Sequence, residues 1–119
     1  MKRDMDLVRA ILLKVEDSSA VDARQWFAVD GYDELTVASH VELMVEAGLL
    51  EASIARGGGV ARHSKVDRLT WEGHEFLDAI RNDTTWAKTK SKVTEQLGSA
   101  PLDVIKSVAI AIGMKAAGL

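Results

Sequence analysis

The sequence predicts a mainly α protein with one small β-hairpin, an α+β class. Two observations predict it. Apolar residues recur at helical spacing along most of the chain, in stretches bounded by capping residues, glycines or a proline. In the middle, the glycine run Arg56-Gly57-Gly58-Gly59 stands between two shorter stretches of strand character.

The first helix is DMDLVRAILLKVED, residues 4–17. Asp4 can cap its start, and Leu7, Val8, Ile11, Leu12 and Val15 form one face with Arg9 and Lys14 opposite. DSSAVDARQ then reads as a loop whose side chains compete for backbone bonds, with a short extra helix over Ser18 to Gln25 as the alternative. WFAV is a short apolar run predicted as an edge strand, ended by the turn Asp30-Gly31-Tyr32. DELTVASHVELMVEAG is the second helix. Asp33 meets the free amides at its start, and Gly48 stops it. Val37, Val41, Met44 and Val45 mark its apolar stripe, which Leu43 and Ala47 widen.

LLEASIA alternates enough for a strand, RGGGVARHSKV is expected as a flexible loop, and DRLT returns as the antiparallel partner. Together they predict a hairpin with a long basic tip. Thr70 can cap a third helix, WEGHEFLDAIRN, with Phe76, Leu77 and Ile80 on its core side and Trp71 adding bulk one turn earlier. DTTWAKTKSKVTEQLG follows as a helix capped by Asp83 or Thr84 and stopped by Gly98. Pro101 suits the first turn of a last helix, where Leu102, Ile105, Val108, Ala109, Ile112 and Ala116 follow helical steps.

Helix, short strand, helix, strand, glycine-rich loop, strand, helix is the order of a winged-helix domain. Residues 1–82 are read as such a domain. Residues 83–119 are read as a helical extension packing on it or on a second subunit, in one compact domain overall. The departure is that only one good helix fits between WFAV and the hairpin, where a helix-turn-helix needs two.

Composition narrows the functions. With no cysteine among 119 residues, disulfides, zinc ribbons, iron–sulfur clusters and thiol catalysis drop out. The charged start MKRDMDLVRAILLKVED lacks the apolar core and small-residue cleavage site expected of a signal peptide, and no stretch approaches the roughly 18 apolar residues of a membrane span. A cytoplasmic protein without membrane contact is expected. The net charge of −3 is unevenly spread. Residues 26–52 hold Asp30, Asp33, Glu34, Glu42, Glu46 and Glu51 with no Lys or Arg, and residues 53–68 are basic.

Four stretches, MKRDMDLVRAILLKVE, GYDELTVASHVELMVEAGLLE, LTWEGHEFLDAIRNDTTWAKTK and IKSVAIAIGMKAAGL, resemble domain of unknown function family 2513 over nearly the whole chain. The resemblance implies a small protein of bacteria, phages or prophages and supplies no catalytic residues. HVELMVEAGLLE separately resembles the helix that precedes the wing in many bacterial regulators.

His74-Glu75 opens like a zinc-protease motif, but four residues after His74 stands Asp78 in place of a second histidine. A metal there needs His40 or His63 to converge on the helix. A local His74–Asp78 hydrogen bond is expected instead, with Gly73 admitting another backbone or a tryptophan. No Gly-Lys-Ser/Thr follows the glycine run, so it is not a phosphate-binding P-loop. No catalytic residue, cofactor, metal or small-molecule substrate is expected, and the protein is read as a non-enzyme.

The leading expectation is DNA contact through a wing carrying Arg56, Arg62, His63, Lys65 and Arg68. The second helix is a poor base reader, because residues 33–47 hold carboxylates and no Lys or Arg. The alternative is a protein-interaction module using that acidic helix and the apolar C-terminal helix, without DNA. Leu102, Ile105, Val108, Ala109, Ile112 and Ala116 are then the candidate partner or homodimer surface. Lys88, Lys90 and Lys92 fan around their helix as a solvated face, and Trp86 is expected in a core or interface.

Overall fold

The computed structural model describes residues 2–17, 22 and 24–119, so the question of a helix over residues 18–25 falls largely outside them. Helices α1 (Met5–Glu16) and α2 (Glu34–Glu46) come first, followed by strands β1 (Leu50–Gly57) and β2 (Val60–Leu69). Helices α3 (Trp71–Ile80), α4 (Asp83–Leu97) and α5 (Leu102–Ala116) complete the chain. Its class is α+β, with one two-stranded antiparallel sheet. Two compact units, Met1–His74 and Glu75–Leu119, divide within α3.

In the first unit α1 packs on α2 and β2, and α2 lies on both strands. Asp4 caps α1, its Oδ1 accepting from the amides of Asp6 and Leu7 at 3.0 and 3.2 Å. Leu7, Val8, Ile11, Leu12 and Val15 are all buried, as their spacing requires. Asp33 caps α2 by accepting from the Thr36 amide at 2.7 Å, and that bond holds its carboxyl below the usual carboxylate range. At the far end Gly48 has φ +78°. Gly48 N–H donates to Val45 O and Leu49 N–H to Met44 O, the paired bonds of a Schellman stop.

His40 corrects the reading of α2, since it is 1% exposed and belongs to the core. Its Nδ1 lies 2.8 Å from Thr36 O, and its Nε2 accepts the Asp4 amide at 2.9 Å. One nitrogen must donate and the other accept, so the ring is the neutral Nδ1–H tautomer. It fastens the start of α1 to the middle of α2.

The hairpin also departs from expectation. The residues read as a long loop are mostly strand, and only Gly58 and Gly59 remain between paired Gly57 and Val60. Both have positive φ, +61° and +82°, as a type I′ turn demands, so the chain reverses in two residues. Residue pairs run Glu51↔Arg68, Ala52↔Val66, Ala55↔His63 and Arg56↔Ala61, leaving Asp67 and Arg62 as extra residues at two bulges. The bulges bring Ala61, Ser64, Val66 and Leu69 to the same buried face at uneven steps.

WFAV forms no strand. It runs beside β2 with a single rung, Phe27 N–H to Ser64 O at 2.8 Å. Lys14 fastens it further, donating to Ala28 O with its ammonium 5.3 Å from the Phe27 ring centroid. Tyr32 follows, and burial, then the carboxylates of Asp4 and Asp6, push its phenol pKa upward.

Thr70 joins α2 to α3. Its hydroxyl donates to Gly48 O and accepts the Gly73 amide at 3.1 Å, while its own amide donates to Leu49 O at 3.0 Å. Gly73 then passes so close to Leu49 that a Cβ would stand 2.1 Å from the Leu49 oxygen. The close approach expected of Gly73 is to backbone.

In the second unit α4 packs on α5. Asn82 caps α4 through the Thr85 amide at 3.0 Å, in place of the expected Asp83 or Thr84. Its side-chain amide oxygen sits one residue earlier, at the extended position a cap needs. Pro101 is likewise the residue before the first helical turn of α5. Gly98, at φ +73°, ends α4. Phe76, Leu77, Ile80, Trp86, Val93, Ile105 and Ala109 are buried, and Thr89 Oγ1 turns back to Thr85 O at 2.7 Å.

Candidate functional site

The five candidate DNA-contacting residues lie along the hairpin, and most have partners within the chain. Arg56 meets the Glu42 carboxylate of α2 and donates to Gly59 O at 3.1 Å. Arg68 grips Glu51 across the strands through two bonds, at 2.9 and 2.7 Å. His63 stacks on Trp26 with ring centroids 5.0 Å apart. Its solvent-shielded Nδ1 faces the Glu34 carboxylate, 2.8 Å from Oε2. Lys65 places Nζ 5.2 Å from the Trp26 centroid, with Asp22 among its charged neighbours.

Arg62 differs. As a bulge residue it turns back over the tip, and its Nε donates to Gly57 O at 3.0 Å. No carboxylate answers its guanidinium among the described residues. A side chain at Gly57 or Gly58 would press on it, at 3.2 and 3.1 Å. The basic tip therefore reduces to one cation lying on glycine backbone.

Around His74 the structure assembles a different set from the one expected. Asp78 pairs with Arg81 at 3.0 Å and leaves His74 exposed. His40 is committed at both nitrogens. Among the described residues no group of three or more metal-ligating side chains gathers. No helix among them is long and apolar enough to cross a membrane.

The candidate interface residues of α5 divide. Ile105 and Ala109 are buried, Leu102, Val108 and Ile112 half-buried, and Ala116 exposed. On the other side Val104, Ile110 and Met114 stand exposed. Sequence reasoning missed these three by following a single stripe on a helix apolar almost all round.

The family model described as Hypothetical protein (DUF2513) matches residues 2–100, more than half of the chain. The chain belongs to that family. The DUF2513 match covers both strands, α1 to α4 and every cation of the hairpin. A relative from Haemophilus influenzae bearing the name "Uncharacterized protein" is 43% identical over 116 residues, spanning 92% of each chain. No solved structure matches. The clues to function in this DUF2513 chain therefore lie in its own side chains.

Trp71, expected to add bulk to the core, is 76% exposed. The spacing could have shown it. The core positions of α3 are 73, 76, 77 and 80, and Trp71 lies five, six and nine residues before the last three, on the opposite side of a 3.6-residue turn.

Proposed function

We propose that the protein is a non-catalytic binding module working through protein–protein contact, with the outer face of α5 as its docking surface. The exposure of that helix carries the reading. Val104, Ile110 and Met114 are 37%, 42% and 48% exposed, with the small side chains of Ser107 and Ala111 among them. Apolar side chains gathered on one face favour a partner over water, and small neighbours let a second helix come close. A cytoplasmic setting in a bacterium, phage or prophage belongs to the same proposal.

Sedimentation at several concentrations tests it, comparing the parent chain with Ile110→Glu/Met114→Glu. Self-association of the parent, lost in the double variant, supports a second copy as occupant. A monomeric parent that binds an apolar dye which the variant does not bind supports another protein. A monomeric parent with no dye binding sinks the reading.

A second reading, DNA contact by a winged-helix-like hairpin, is favoured by Arg62, whose guanidinium meets no carboxylate among the described residues. The charge balance of Arg56, His63 and Arg68 weighs against it. Anisotropy of a labelled duplex at two salt concentrations decides. Binding whose salt slope falls by about 1 in Arg62→Ala supports it, and no binding at low salt overturns it.

A further inference from the structure

The face of α3 that turns away from the core is an unusual surface. Gly73, Phe76, Leu77 and Ile80 point inward, with the Gly73 backbone set against Leu49. Diametrically opposite stands Trp71, followed at helical steps by Glu75 and Asp78, with Glu72 on the flank. All four are exposed. Asp78 has Arg81 as a partner, while Glu72 and Glu75 have none among the described residues. Among the described residues the Trp71 ring has neither a ring partner nor a cation over it, unlike Trp26 and Trp86, which carry Lys65 and Lys90.

An indole face attracts cations through its negative quadrupole, and Trp is the strongest aromatic in this role. Carboxylates one turn along the helix add to the attraction. They also disfavour an apolar partner, which would strip them of water, and any phosphate-bearing partner, which they would repel. We propose that this face of α3 docks a cationic segment of a partner protein. One Arg or Lys side chain lies over Trp71, and its neighbours pair with Glu72 and Glu75. The site stands on observations separate from those for α5, and its test is separate too.

The probe is acetylated octaarginine, titrated into the full chain at low and moderate salt. Trp86 is buried but Trp26 is 44% exposed, so acrylamide quenching is read in a Trp26→Phe background, where it reports on Trp71. The expected result is saturable protection from acrylamide that weakens with salt. By calorimetry, Trp71→Ala and Glu72→Gln/Glu75→Gln each weaken binding by about five- to tenfold, while Trp71→Phe keeps most of it. Each substituted side chain is exposed, and circular dichroism verifies the fold. Equal affinity in Trp71→Ala, or quenching unchanged at saturation, overturns the proposal. Self-association of the parent that Trp71→Ala abolishes overturns it in favour of a second copy as occupant.

Discussion

Leu49 presents its carbonyl oxygen directly beneath Gly73, leaving 2.1 Å where a Cβ would stand. Backbone lies on both sides, so no rotamer change relieves a substitution. Gly73→Ala is expected to destabilise by about 2–3 kcal/mol, read as a lower urea midpoint at constant slope. Gly113, inside α5, is the control. A Cβ there meets nothing within 4 Å, and its φ is not positive. Gly113→Ala should stabilise by about 0.5–1 kcal/mol, because alanine forms helix more readily.

His40 holds two backbone groups from different helices while 1% exposed. His40→Leu keeps the bulk and strands the Asp4 amide, for an expected loss of about 1–3 kcal/mol. Long-range proton–nitrogen spectra should show the Nδ1–H tautomer. An Nε2–H signal would contradict the bonding described.

Ser64 reports the opposite balance. Its hydroxyl is fully buried with no partner among the described residues, although its backbone oxygen holds Phe27. Ser64→Ala removes the unbonded hydroxyl and leaves the backbone bond intact. It should raise stability by about 1 kcal/mol in chemical denaturation.

Asp33 gives a dependence on pH. Its folded pKa lies below the ordinary 3.8, chiefly because the Thr36 amide binds the carboxylate. A depressed acid contributes stability that is fully present above its unfolded pKa and is lost as pH falls through the folded one. Melting temperatures of parent and Asp33→Ala should therefore differ at neutral pH and converge below about pH 4. Asp33→Asn, a cap that does not titrate, should lack this acid-dependent component.

Helices were legible because caps and apolar spacing agreed. Asp4, Asp33, Thr70 and Gly48 all act as read. Strand β2 was not. Its buried residues 61, 64, 66 and 69 step by three, two and three, so the period-two signal of a strand is erased by its own bulges. His40 was hidden because a polar side chain reads as surface until its partners are known. The basic side chains of the hairpin were visible, but their placement against Glu34, Glu42 and Glu51 is tertiary and leaves no local trace. Trp71 was misread for its size, although its phase on the helix was available.

The two bulges also bear on how this hairpin can change in length. A bulge residue faces no partner, so removing Arg62 or Asp67 leaves a regular ladder with Ala61, Ser64, Val66 and Leu69 still facing inward. Removing a residue between the bulges throws the following side chains onto the wrong face. The strand thus carries two spare residues, and natural or engineered deletions should survive at those two places and fail between them.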